Sequence, residues 1–135
     1  MLISSRACRE LILELLLDRT VTIRLITDDP LTISANGDFG LSDFTETDVA
    51  GYSAQTMTGT DWTTTHDEAF TIATGDDQTF EPTAAVTATG YVVTYHDGTD
   101  DVALWAEELD PHATVPSAGG TIQITPRFDS RTRTT

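Results

Sequence analysis

At 135 residues the chain is long enough for one domain with its own hydrophobic core. Its 22 acidic residues face 7 basic ones, all Arg with no Lys, giving a formal net charge of −15. No basic stripe exists to neutralise phosphates, which argues against direct nucleic-acid binding. The single cysteine, Cys8, excludes an internal disulfide and reads as a small packed hydrophobe.

In chain order, Cys8, Leu11, Ile12, Leu15 and Leu16 recur at the spacing of one apolar stripe. They predict an amphipathic helix from Ser4 or Ser5 to about Asp18, with a serine as N-cap and Arg6 with Glu10 as an i,i+4 pair. Glu10 and Glu14 interrupt the apolar run, which is too short to span a bilayer, and no small-residue cleavage pattern follows. Membrane insertion and secretion are therefore not expected. After Arg19 the period changes to two, predicting a strand over 20–27 that Asp28-Asp29-Pro30 ends. Residues 31–50 read as irregular, with Asn36-Gly37 and Phe39-Gly40 as turn signals and Phe44 as an apolar anchor.

Short strands are predicted at 51–57, 61–65, 69–74 and 84–88. A central hairpin follows, formed by 91–95 and 102–106 around the Asp- and Gly-rich connection 96–101. Strict alternation puts Tyr91, Val93 and Tyr95 on one face and Val92 with Thr94 on the other. In the partner strand it sets Ala103 and Trp105 against Val102, Leu104 and Ala106. Neither strand has a polar face, so the hairpin is expected to be covered by a second sheet on one side and by something smaller on the other. A last strand over 121–128 contains Pro126, which marks a sheet edge. The fold class is mainly β: a single-domain, jelly-roll-like β-sandwich with one N-terminal amphipathic helix. Its parts are a helix within 1–19, a sandwich over 20–128 and a tail at 129–135.

Chemistry-bearing patterns are sparse. His66, His96 and His112 stand apart without metal-ligand spacing, and the chain has neither a nucleophile elbow nor a phosphate-cradling glycine loop. Asp97, Asp100 and Asp101 are weak candidates for bound Na⁺ or Ca²⁺, because their loop lacks the spacing and distal Glu of an EF-hand. Glu107 and Glu108 follow Trp105, but neighbours on a strand point oppositely and cannot share a substrate. No enzymatic site and no cofactor are expected. The contact candidates are Leu11, Leu15, Leu16, Phe44, Tyr52, Trp105 and Arg127. Arg127, Arg131 and Arg133 read as a solvated basic end or as a dock on an acidic neighbouring subunit. Gly51 and Gly90 are read as positions of unusual dihedrals or close backbone approach.

Scattered acidic pairs and the loss of Lys resemble proteins of extreme halophiles, in which molar salt screens self-repulsion. An ordered set of segments also resembles a family of small virion proteins encoded among the structural genes of tailed phages. The set runs Arg24-Leu25-Ile26-Thr27-Asp28-Asp29, then Leu41-Ser42-Asp43-Phe44-Thr45-Glu46 with Gly51-Tyr52. It continues with Gly90-Tyr91-Val92-Val93, Leu104-Trp105-Ala106-Glu107 and Gly119-Gly120-Thr121-Ile122-Gln123-Ile124-Thr125-Pro126-Arg127-Phe128. The resemblance implies a β-sandwich component of the capsid or tail, assembled in the host cytoplasm. Its partners would be copies of itself and the major capsid protein or other virion proteins. Relatives of this kind usually carry a basic residue where this chain has Glu108, and their surfaces are less acidic, departures that fit a virus of a halophilic archaeon. The rival reading is a carbohydrate- or cation-binding module with Trp62 or Trp105 as a platform.

Overall fold

The computed structural model describes residues 6–28, 40–66 and 70–129, with the side chains of residues 6–10 outside that description. Helix α1 (Arg6–Asp18) leads into β1 (Val21–Ile26), whose inward positions Val21, Ile23 and Leu25 have no exposed surface. The order continues with β2 (Gln55–Met57), β3 (Trp62–His66), β4 (Thr71–Gly75), β5 (Gln78–Phe80), β6 (Val86–His96), β7 (Asp101–Val115), β8 (Ile122–Ile124) and β9 (Arg127–Asp129). Every pairing is antiparallel. One sheet has the order β2-β1-β6-β7, a second β3-β4-β9, and β5 pairs with β8. The result is a single-domain β-sandwich carrying an N-terminal helix.

The central hairpin is longer than the sequence predicts. Segments 84–88 and 91–95 fuse into the single strand β6, while β7 runs on past Ala106 to Val115. The predicted strand 51–57 shrinks to β2, and β5 was not foreseen. Segment 121–128 divides into β8 and β9 because Pro126 has no N–H for a ladder. Its carbonyl instead accepts the Gly75 N–H (2.8 Å). The helix start at Ser4 or Ser5, the Cys8 and Arg6–Glu10 side chains, both turn signals before Gly40 and Arg131 with Arg133 lie outside the described residues.

Strict alternation fails in β7. Val93 pairs with Trp105 but Thr94 pairs with Ala103, so Leu104 is the extra residue of a β-bulge. The bulge turns Leu104 and Trp105 both toward the main core and leaves Ala103 with Ala106 on the opposite face. A larger irregularity follows, since only Thr89 separates the partners of Ala113 and Glu108. The cover on the two faces matches the expectation. Val21, Ile23, Leu25, Tyr91 and Val93 pack into the main core with Phe80, Ile122, Ile124 and Phe128 from the smaller sheets. Ile26 and Val92 on the other face are covered by Phe44 and Leu41.

Helix α1 sits against the one-turn 3-10 helix Gly59–Asp61 and β3. A Cβ at Gly59 would strike the Leu17 carbonyl, so the glycine is what allows this approach. Gly51 adopts φ +81° beside Thr83, as a turn residue must, whereas Gly90 is a strand residue of β6.

Candidate functional site

Arg24 is the charged residue of β1 and faces away from the main core, and the sheet builds a charged knot on it. Its Nε donates to Thr94 Oγ1 (3.1 Å), one terminal nitrogen to Glu46 Oε1 (3.1 Å) and the other to Asp101 Oδ2 (3.4 Å). Glu46 is delivered by the segment after Phe44, which pairs with the end of β1 through Thr27 N–H to Thr45 O (3.0 Å) and Thr47 N–H to Leu25 O (3.1 Å). Where β2 has ended, the Tyr52 hydroxyl accepts the Leu25 N–H (3.1 Å) and donates to Glu46 Oε2 (2.6 Å). Burial, and then the bond to Glu46, push the Tyr52 hydroxyl well above the ordinary tyrosine range, fixing it as a donor. Its ring stacks on Phe80, 5.9 Å between centroids.

This knot ties β1, β6, β7 and the loop together. The Arg24 side chain is only 19% exposed, and its removal takes one partner each from Thr94, Glu46 and Asp101, which keep Thr22, Tyr52 and His96. Arg24→Met is expected to cost about 1 kcal/mol, since the two carboxylates remain partly solvated and partnered. A melt followed by circular dichroism checks this; an unchanged melting temperature would show that solvent replaces the guanidinium at no cost. In the sequence Arg24 and Glu46 stand only as landmarks of the resemblance. The available signal was a lone arginine inside an apolar period-two run.

At the hairpin tip, the Asp97 carboxylate accepts the backbone N–H groups of Asp100 (2.8 Å) and Thr99 (2.9 Å). Those two bonds hold its carboxyl below the usual range. Asp101 is shared between Arg24 and His96 Nδ1 (3.2 Å). The Asp97 and Asp101 carboxylates thus have turn and ion-pair partners, and the described residues contain no group of three acidic, His or Cys side chains placed to hold a metal.

The aromatic seam joins the two larger sheets. Trp105 meets Trp62 edge-on at 6.1 Å and Phe128 at 5.5 Å. Trp62 is 7% exposed, and Trp105 is half-buried with both neighbours against it, so neither ring stands out as a platform. Beside them the Tyr91 hydroxyl accepts the Arg127 N–H (3.0 Å) and donates to Glu107 (3.3 Å), bridging β6 to β9. Burial and then the Glu107 charge push that hydroxyl far above its ordinary value. Glu107 itself is pushed up, chiefly by desolvation. Glu108 turns the other way and meets His112 Nε2 (3.2 Å), as alternation requires.

The sign of the Glu107 effect is testable. Its folded state binds the proton more tightly than the unfolded chain does, so its stabilising contribution is full below the ordinary glutamate value and is lost as pH rises through the raised one. Glu107→Gln should melt with the wild type near pH 4 and slightly above it near pH 7, with the ordinary glutamate value about 4.3. The opposite order would show that Arg127, and not desolvation, dominates at Glu107.

The contact candidates divide. Leu16 is completely buried, Phe44 is 9% exposed, and Tyr52 and Trp105 are held by the contacts above. Leu15 is half-buried, while Leu11 (55%) and the unforeseen Leu17 (44%) are exposed. The exposed Arg127 guanidinium pairs with Asp129 (3.1 Å). Among the described residues no helix is long and apolar enough to cross a membrane. No family model, no curated protein and no solved structure matches this chain.

Proposed function

We propose that the chain is a non-enzymatic virion structural protein of a halophilic tailed virus, a decoration or turret component assembling as a symmetric oligomer on the head. The observation that carries this reading is α1. Six of the seven residues 11–17 are apolar, yet the helix buries only one side on its own domain and leaves Leu11 and Leu17 exposed on a chain of net charge −15. An amphipathic helix that leaves leucines exposed beside its buried stripe offers a second contact face, and a site repeated by symmetry lets one modest patch act many times. The ordered resemblance supplies that partner: α1 docks on the major capsid protein while acidic loops face brine. The same fold at the tail or baseplate, as an attachment or host-recognition module, is the runner-up position. The other alternative, a carbohydrate- or cation-binding module, loses support from the packed indoles.

The test is co-sedimentation with capsid shells of the major capsid protein in molar salt. Saturable binding at a fixed ratio per capsomer is the expected result. Absence of binding, together with heat on titration with glycans or Ca²⁺, would move the assignment to the binding module.

A further inference from the structure

At about 100° per residue, the helical projection of α1 sets Leu17, Glu14, Asp18 and Leu11 in that order across about 120°, with Glu14 near the centre and Leu16 and Ile12 at the opposite pole. The exposures follow this projection. Leu16 is buried and Ile12 half-buried against the main core, whereas Leu11 (55%), Leu17 (44%), Glu14 and Asp18 are exposed. Leu13 and Leu15, about 100° to either side of Glu14, are half-buried. The outward face therefore has apolar borders and an acidic middle. No arginine stands three or four residues from Glu14 or Asp18 along the helix, and the two acids are themselves a like-charged i,i+4 pair. Asp18 also lies at the negative end of the helix dipole, in a last turn without a basic residue. Arg19, just past the end, falls on the far side of the projection. Each of these choices weakens the helix alone, and each is relieved by cations supplied from outside.

Resting on the assignment of α1 as the docking face, we infer that its partner is another protein presenting a groove with apolar walls and a basic floor. One wall takes Leu11 beside Leu15, the other Leu17 beside Leu13, and the floor pairs Glu14 and Asp18 with arginine or lysine. Charge complementarity selects this occupant. A wholly apolar groove would take two carboxylates out of water with nothing to pair them. A second α1 is excluded, because a two-fold crossing centred on Glu14 brings four carboxylates together. A flat basic surface would pair the acids and leave the leucines in water. A groove satisfies both, in the helix-in-groove mode with anchors at 11, 14, 17 and 18. Glu14 and Asp18 are about 6 Å apart along the axis, so cations one helical turn apart, or on alternate residues of a strand, match them. These pairs form in contact, so molar salt weakens them less than it weakens long-range repulsion.

The experiment compares the full chain with two double variants, Glu14→Gln with Asp18→Asn and Glu14→Arg with Asp18→Arg. Each is melted by circular dichroism and co-sedimented with shells of the major capsid protein in molar NaCl. Neutralisation removes an unfavourable pair from the free helix, so the Gln/Asn variant should melt at or slightly above the wild type while its shell binding falls about tenfold or more. The Arg pair should abolish binding. Folding kept or improved while binding is lost is a combination that a merely structural role for these acids does not produce. Unchanged binding by the Gln/Asn variant, with binding lost in Leu11→Asp/Leu17→Asp, overturns the basic floor and leaves α1 as the docking face. A Gln/Asn variant that loses stability together with binding also overturns it, since the acids would then serve the fold. A wild type that does not bind shells overturns the docking assignment and this inference together.

Discussion

Leu16→Asp is expected to leave the chain unfolded at every salt concentration. Leu16 has no exposed surface and belongs to the main core with Trp62 and Val21. Removing its side chain alone costs about 2–5 kcal/mol, and a carboxylate in its place adds several more unless it is neutralised. Against a total stability of about 5–15 kcal/mol, that is enough to empty the folded state. The contrasting variant is Leu11→Asp with Leu17→Asp, on the exposed part of the same helix. It should change stability by no more than about 1 kcal/mol and yet lose binding to capsid shells at least tenfold. Circular dichroism melts and co-sedimentation separate the two effects. If Leu16→Asp melts like the wild type, α1 is not part of the core; if the double variant binds shells normally, the helix is not the docking face.

The second large effect is on salt. With 22 acids against 7 arginines, the folded chain concentrates like charge that the unfolded chain can spread apart. The Debye length grows from about 3 Å at 1 M to about 30 Å at 0.01 M, so dilution switches on repulsion across the whole domain. We expect reversible loss of the sheet signal in circular dichroism as NaCl falls from molar to about 0.01 M, and its return when salt is restored. A chain fully stable in dilute buffer would remove the halophile assignment. The Arg24 knot sharpens the expectation. Its bonds to Thr94, Glu46 and Asp101 are short contacts from one largely buried guanidinium, and salt screens them less than it screens the long-range repulsion between surface acids. Arg24→Met should therefore raise the salt concentration needed for half-folding.

The sequence by itself determined the class of fold and the place of its longer strands. Period-two runs located β1, β3 and the two arms of the hairpin, because a strand with one or both faces buried must write its burial into alternate residues. The two-sided cover of the hairpin followed from the lack of a polar face on 91–95 and 102–106. Pro126 announced an edge, and β8 and β9 are edges.

What only the tertiary structure decided are the features that depend on partners distant in sequence. The bulge at Leu104 puts Ala103 and Trp105 on opposite faces, and Leu104 and Ala106 likewise, where simple alternation would set each pair on one face, and it exists only because β6 fixes where Trp105 and Ala103 can pair. The roles of Tyr52 and Arg24 needed the loop at Glu46 to be brought back onto the end of β1, 22 residues from the arginine it meets. Which leucines of α1 are core and which are surface was also undecided, since the predicted stripe of Cys8, Leu11, Ile12, Leu15 and Leu16 is flanked by further leucines at 13 and 17. Only docking against Gly59 and β3 chose Leu16 for the interior and left Leu11 and Leu17 outside. Local pattern fixes local geometry; pairing register and side-chain networks are set by long-range packing, where one inserted residue outweighs the period of the strand.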